Sequence, residues 1–265
     1  MNFYSQRQIK ELAQQLQEFV SSGRDEAITS TEGKLGTRIL SETVNRIQSW
    51  LESEASEFLW VEGYIFPCDL TPTALRITAC MFEAGIPCVY FFDQDTYPSI
   101  LSPKSGRAQP REETALVCLL YTLIDQLVTL LPTTFTSDTD LGLGEQAFQE
   151  LNGTMESADL ALQVIQALIA HAPNHLVVVI DGVLDLESES ATTWPYFEEL
   201  VDILRRESRR EKLFKVLVTT NGMSPFLCEA LEEDEREVAS NMAVQFRHGR
   251  RLQGTNSVDD VSFEV

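Results

Sequence analysis

The sequence predicts an α/β fold in three layers, with a mostly parallel five-stranded sheet covered by helices on both faces. From Phe58 onward, short apolar runs alternate with helix-like segments, as expected where crossover helices join parallel strands. The runs LVVVI (176–180) and KVLVT (215–219) show little alternation, which is typical of strands buried on both faces. A chain of 265 residues, 43% of them hydrophobic, is long enough to bury the core that such a fold needs.

The N-terminal part is predicted to contain two amphipathic helices. Residues 4–20 place Ile9, Leu12 and Leu16 at three- and four-residue spacing, and 39–51 repeats the pattern after a polar, glycine-containing stretch. The apolar stripe of the first helix needs a partner surface. That surface is either the rest of this chain or another protein.

Five strands and five helices are expected in the rest of the chain. The predicted strands are 58–62, 87–92, 176–180, 214–219 and 242–246. The predicted helices are 73–84, 113–131, 159–170, 196–209 and 225–239. The stretches 94–111 and 132–152 lack periodicity and are predicted to be long loops. The chain is thus divided into an N-terminal helix and linker (1–38), an α/β domain (39–250) and a flexible tail (251–265).

The charge balance argues against several classes of partner. Twenty Lys and Arg stand against 41 Asp and Glu, and the formal net charge of −21 disfavours binding to nucleic acid or anionic lipid. No window reaches the ~18–20 uninterrupted apolar residues of a membrane span, and the polar start does not resemble a signal peptide. A cytoplasmic location is expected, with the nucleus as the alternative. The five cysteines form no CxxC pair, so neither disulfides nor a zinc site is predicted.

The first strand of the sheet ends in a segment with the frame of a phosphate-binding loop. Gly63 follows the strand and precedes a short loop and a helix, which is the layout of G-x-x-x-x-G-K-[ST]. Counting from Gly63, Cys68 stands at the second glycine, Asp69 at the lysine and Leu70 at the hydroxyl that holds magnesium. A shift of register would offer the hydroxyl of Thr71 or of Thr73 instead.

Asp69 makes ordinary ATP binding through this loop unfavourable. Replacing a cation by a carboxylate about 4 Å from a phosphate charge costs roughly 8 kcal/mol at an effective dielectric constant of ~20. This cost is comparable with the ~8 kcal/mol of a micromolar ligand. No Lys or Arg lies between Gly63 and Leu75 to compensate, and Arg76 belongs to the following helix.

Two later strand ends carry polar side chains that are expected at the same edge of the sheet. Asp181 follows LVVVI directly, Asp185 and Glu187 come shortly after it, and Asn221 follows the strand that contains KVLVT. At such positions one acid can bind magnesium, a second acid can activate water, and a polar residue can sense a γ-phosphate. Asp-Gly and Asn-Gly are also ordinary turn pairs, so a structural interpretation stays open for both.

Together these features resemble the STAND class of P-loop ATPases, in particular the NACHT-type modules of fungal multidomain proteins. The resemblance spans roughly residues 39–246. It rests on FLWVEG, PCVYFF, the helix LVCLLYTLIDQLVTLLP with its Gln-Leu pair, the turn DGVLD and the strand VLVTTN. It implies a P-loop NTPase-like fold whose predicted strands, numbered along the chain, are ordered 5-1-4-3-2.

Three motif positions of that family differ in this chain. Asp69 and Leu70 replace the P-loop Lys and Ser/Thr, Leu184-Asp185 replaces the paired acids after the Walker B glycine, and Asn221 replaces a basic residue. The sequence therefore predicts a pseudo-ATPase, which is a non-catalytic P-loop fold without cofactor or metal. It would act as a protein-binding scaffold, a complex subunit or an oligomer.

The alternative is a nucleotide-binding switch with residual ATPase activity and ATP with magnesium as cofactor. In that interpretation Asp181 binds the metal, Asp185 or Glu187 is the base, and a partner supplies an arginine. The chain lacks G-x-S-x-G and has only three histidines, so another kind of hydrolase has little support. The main basic cluster, which could bind an acidic peptide or the protein's own negative surface, consists of Arg247, Arg250 and Arg251.

Overall fold

A parallel five-stranded sheet lies at the centre of the computed structural model, which describes residues 2–31, 41–63, 70–93, 97, 106–137, 143–183, 192–208 and 212–239. The strands, in chain order, are β1 Asn2–Ser5, β2 Glu57–Gly63, β3 Cys88–Phe92, β4 Thr134–Ser137, β5 His175–Asp181, β6 Leu213–Thr220 and β7 Arg236–Ala239. The central sheet has the order β3-β5-β6-β2-β7, whereas β1 and β4 form a separate antiparallel pair.

Helices cover both faces of the central sheet. The α-helices of the described residues are α1 Gln6–Ala13, α2 Gly23–Thr31, α3 Ser41–Glu52, α4 Thr71–Glu83, α5 Arg111–Leu130, α6 Glu145–Glu150, α7 Ala158–His171, α8 Trp194–Ser208 and α9 Pro225–Ala230. Side chains alternate along β2, so Phe58 and Trp60 pack in the core with α5, α7 and α8, while Leu59 and Val61 pack with α3 and α4. The α/β class with a parallel sheet between two helical layers is therefore confirmed.

The predicted helix over 225–239 is wrong in its second half. Helix α9 ends at Ala230, and Arg236–Ala239 is the edge strand β7, paired with β2 from Trp60 to Gly63. An edge strand tolerates charged side chains because one of its sides meets solvent, so its sequence need not look like a strand. The predicted strand 242–246 lies outside the described residues, and the order 5-1-4-3-2 that includes it stays a prediction.

The stretch 132–152, predicted as a loop, contains β4 and α6. Strand β4 pairs with β1, and the rings of Tyr4 and Phe135 stack with centroids 5.6 Å apart. The N-terminal helix begins only at Gln6, where the Ser5 hydroxyl accepts a hydrogen bond from the Gln8 backbone N–H. Local periodicity missed both strands because they are short and pair with residues far away in the chain.

The amphipathic N-terminal helix packs on its own chain. Ile9, Ala13 and Leu16 are buried in the same core as α5. Gly23 begins α2 directly against the edge strand β3, where an added Cβ would lie 2.0 Å from the carbonyl oxygen of Phe92. The partner surface of α1 is therefore intramolecular. The predicted boundaries at residues 38 and 250 lie outside the described residues.

Helix α5 is a core helix that also protects the outer edge of β3. By length and composition it is apolar enough to cross a membrane, but most of that apolar window is buried inside the protein. Its Gln126 side chain, from the Gln-Leu pair, donates to the Tyr90 carbonyl at 2.8 Å and accepts from the Tyr90 N–H at 2.8 Å. Gln126 thereby occupies backbone groups that an open edge strand would offer to another chain.

Replacing Gln126 with Met should destabilise the protein and promote self-association. Both backbone groups of Tyr90 would lose their partner, at a cost of about 1–3 kcal/mol. Urea unfolding and light scattering measure the two effects. Gln146→Met, an exposed substitution on α6, is the control. Equal unfolding free energies for the two variants would contradict a protective role for Gln126.

Candidate functional site

The candidate site lies at the carboxyl edge of the central sheet, where β2, β5 and β6 end side by side. The strand register pairs Glu62 with Thr220 and Asp181 with Thr219. Helix α4 begins at the same edge, because its first residue, Thr71, is hydrogen-bonded to the side chain of Asp181. Parallel α/β proteins bind ligands at this edge.

Asp181 is the central side chain of the site. It is 4% exposed, and its two carboxylate oxygens accept hydrogen bonds from two threonine hydroxyls. Thr71 Oγ1 donates to Oδ2 at 2.7 Å, and Thr219 Oγ1 donates to Oδ1 at 2.5 Å. Thr219 is itself fully buried. The carboxylate therefore connects the end of β5 to the end of β6 and to the first residue of α4.

The hydroxyl at the start of α4 comes from Thr71 and not from the counted position, Leu70. The Leu70 side chain is fully buried in the core formed with α3 and α4. Its backbone N–H donates to Asn221 Oδ1 at 3.0 Å. Leu70 is therefore a core residue and the N-cap of α4. Of the two positions Leu70 and Thr71, it is therefore Thr71 that brings a hydroxyl to Asp181.

Asn221 connects the end of β6 to the start of α4. Its amide oxygen accepts the Leu70 N–H, although the residue as a whole is exposed. A sensor of γ-phosphate would need this side chain to face the ligand. The observed bond gives Asn221 a structural role, because it satisfies a backbone donor at the N-terminus of a helix.

Two further acidic side chains of the described residues at this edge, Glu62 and Asp93, contact arginines. Glu62, 7% exposed, accepts a hydrogen bond from Arg236 Nε at 2.9 Å, and the Arg236 guanidinium lies 4.8 Å from the centre of the Trp60 ring. Asp93, at the end of β3, lies 3.8 Å from a guanidinium nitrogen of Arg111. Pairing of this kind offsets part of the desolvation cost of a carboxylate.

The turn after Asp181 requires glycine. Gly182 has φ +87°, and an added Cβ would lie 2.4 Å from the Cβ of Asp93. The Gly182 N–H donates to the Thr219 carbonyl at 3.0 Å, and the Asp93 N–H donates to the Asp181 carbonyl at 2.9 Å. In the Asp-Gly pair, Gly182 therefore has a structural role, whereas Asp181 belongs to the site.

The structure brings together part of the predicted site. The predicted residues that it describes are Gly63, Leu70, Thr71, Asp181 and Asn221. The predicted residues that lie outside the described part of the chain are Cys68, Asp69, Asp185 and Glu187.

The sequence placed Thr219 at a strand end but did not predict its bond to Asp181, and it missed the pair formed by Glu62 and Arg236. A signal existed for Thr219, because alternation along β6 places it on the same face as Leu217, toward α4. Arg236 was assigned to a helix, so its ion pair with β2 could not be anticipated.

The opposite, amino edge of the sheet carries lysines that bind helix ends. Lys212 Nζ donates to the carbonyls of Ala170 and Ala172, each at 2.9 Å, at the C-terminus of α7. Lys215, 2% exposed, donates to the Trp50 carbonyl in α3, and burial lowers its pKa. Cations at helix C-termini complement the helix dipole, so these lysines serve the fold.

His171 and His175 lie at the same amino edge, away from Asp181. His171 ends α7 with its ring 4.6 Å from that of Phe135, and His175 begins β5. Burial lowers the pKa of both imidazoles, and the nearby charges of Lys212 and Lys215 lower it further. Folding therefore disfavours the protonated form of both imidazoles.

No family model, curated protein or solved structure matches this chain in the comparisons with known proteins. The functional interpretation therefore depends on the residues and their geometry.

Replacing Gly182 with Ala should destabilise the protein by more than the cost of a positive φ alone. Gly85 provides the control, because it has φ +66° with nothing within 4 Å of an added Cβ. Gly85→Ala should cost about 1–2 kcal/mol, and Gly182→Ala should cost more because it also collides with Asp93. Urea unfolding measures both, and equal losses would contradict the collision.

Acidification should weaken the fold through the two histidines. Their folded pKa values lie below the ~6.5 of an unfolded chain, so the folded state binds fewer protons and stability falls as the pH drops through 6.5. The His171→Asn/His175→Asn variant should lose less unfolding free energy than the wild type between about pH 7.5 and about pH 5. Parallel losses in urea titrations would show that neither histidine contributes.

Proposed function

We propose that this protein is a pseudo-ATPase, an α/β protein of P-loop NTPase-like fold that has lost nucleotide chemistry and acts as a protein-binding scaffold or complex subunit. In this proposal β2 is the strand before the former phosphate loop, and β5 is the strand whose end carries the former magnesium-binding acid. The sheet order supports this, because β6 alone separates these two strands.

One observation carries the proposal: with either Asp69 or Leu70 at the lysine position, the loop supplies no cation for phosphate. With Gly63 as the first glycine, Asp69 stands at the lysine position. With Thr71 as the hydroxyl, Leu70 stands there, and its side chain is fully buried in the core. A phosphate loop needs its lysine to reach the β- and γ-phosphates, and a buried leucine offers no substitute.

The surroundings of the site also support the loss of phosphate binding. The described arginines Arg111 and Arg236 contact carboxylates at this edge, so a triphosphate would have to compete with Asp93 and Glu62 for them. The oxygen of Asn221 accepts a backbone N–H. The net charge of −21 adds a general repulsion toward polyphosphates.

A second candidate function, the nucleotide-binding switch, is favoured by one contact. The 2.7 Å hydrogen bond from Thr71 to Asp181 joins a hydroxyl at a helix N-terminus to a strand-end acid. P-loop ATPases hold magnesium with residues of these two types. In this alternative the metal would be held by Asp181 and Thr71, and it would neutralise phosphate charge. Asp185 or Glu187 would then take a proton from the attacking water.

Titration with a fluorescent ATP analogue and magnesium distinguishes the two functions. For the pseudo-ATPase we expect no saturable binding up to about 1 mM nucleotide, which corresponds to less than ~4 kcal/mol of binding free energy. Micromolar binding that Asp181→Asn and Thr71→Val both abolish would overturn the proposal. Thr78→Val is the control, because Thr78 is a buried threonine of the same helix whose hydroxyl donates to the Ala74 carbonyl of its own helix.

A further inference from the structure

A groove of about 820 Å³ runs between α7 and α8, on the side of the sheet that faces away from α3 and α4. Asp159, Gln163 and Gln166 line it from α7 at helical spacing. From α8 it is lined by Tyr196, Glu199 and Ile203. These residues extend over roughly 12 Å of each helix at 1.5 Å per residue. The groove is therefore long enough for about four residues of an extended peptide.

The floor of the groove is apolar and one wall is aromatic. Leu162 and Ile203 are 3% and 2% exposed, and they continue the core up to the groove surface. Tyr196 is half-buried in the wall. A floor and wall of this kind can hold the methylene groups of a long side chain or an aliphatic residue.

The rim of the groove is acidic. Four carboxylates line it, from Glu113, Glu156, Asp159 and Glu199, and the lining within the described residues contains no Lys or Arg. Glu199 pairs with Arg206 at 2.7 Å. Glu113 and Asp159 both line the groove, and both belong to the first turns of their helices.

The acidic side chain of Asp159 and the aromatic ring of Tyr196 line the same groove. Burial raises the pKa of the Tyr196 hydroxyl, and the negative charge of Asp159 raises it further. Both residues line the groove, so the acidic rim and the aromatic wall face the same space. A planar cation is suited to such a place, because it can stack on the ring while its N–H groups donate to carboxylates.

We propose that this groove binds an arginine-containing segment of a protein partner. Guanidinium groups would contact Asp159, Glu113 and the Tyr196 ring, and an aliphatic residue of the same segment would cover Leu162 and Ile203. The inference rests on the proposed scaffold function and gives the chemistry of the partner. Charge complementarity selects this occupant, because the rim is acidic and the chain as a whole carries a net charge of −21.

A labelled peptide of alternating arginine and leucine, titrated into the full chain, tests the proposal by fluorescence anisotropy. We expect micromolar binding, and at least about tenfold weaker binding to the Glu113→Gln/Asp159→Asn variant. The same peptide with citrulline in place of arginine keeps the shape without the charge, and it should also bind at least about tenfold more weakly. Equal binding of both peptides would overturn the proposal.

A matched control separates the groove from the general attraction of an acidic protein. Glu26→Gln/Glu42→Gln removes two exposed first-turn carboxylates from α2 and α3, so it changes net charge and helix-end charge by the same amount. It should change peptide affinity by less than about twofold, whereas a loss equal to that of the groove variant would overturn the proposal. If the groove variant fails to fold by circular dichroism, Tyr196→Leu takes its place, with the same expected loss.

Peptide binding by a variant of the basic cluster and the ATP titration test the proposal in two further ways. Tighter peptide binding by Arg247→Gln/Arg250→Gln/Arg251→Gln would assign the groove to the chain's own basic cluster and overturn the choice of an external partner. The ATP titration is read independently. Absent peptide binding with absent ATP binding refutes only the groove, and micromolar ATP binding refutes the pseudo-ATPase whatever the peptide does.

Discussion

A buried carboxylate at the carboxyl edge of the sheet imposes the constraint on which this site depends. A polar group with 4% exposure is costly to bury unless its oxygens are hydrogen-bonded, and the two threonine hydroxyls supply such bonds to Asp181. Thr219 comes from the neighbouring strand and Thr71 from the helix that follows β2. Satisfying one side chain therefore aligns β5, β6 and the start of α4, and Gly182 lets the chain turn away without striking Asp93.

The same arrangement supports the proposal that this site lacks phosphate chemistry. In the proposed P-loop interpretation, Asp181 and Thr71 stand at the positions where magnesium would be held. The cation that should face the phosphates is missing in either register, because one register offers Asp69 and the other offers the buried Leu70. The hydrogen bonds of Asp181 to Thr71 and Thr219 join these elements directly through side chains of the protein.

The outer edge of β3 is covered, whereas the groove between α7 and α8 is open to solvent. At the outer edge of β3, the side chain of Gln126 and the close approach of Gly23 occupy the polar backbone, which disfavours strand addition. Between α7 and α8, an apolar floor reaches the surface beneath an acidic rim. For the proposed scaffold both features are useful, because a protected edge limits unspecific association while the proposed groove site would give a specific one.

The sequence by itself determined the α/β class, four of the central strands and the polar strand ends at Asp181 and Asn221, because continuous apolar runs and turn residues are local signals. Only the tertiary structure decided that Thr71 and not Leu70 meets the acid, that Thr219 completes its hydrogen bonds, and that Arg236 lies on an edge strand beside Glu62. These outcomes depend on strand register and on contacts between distant segments. A one-residue shift along a loop leaves the local pattern almost unchanged, yet it exchanges a buried side chain for one that faces the site.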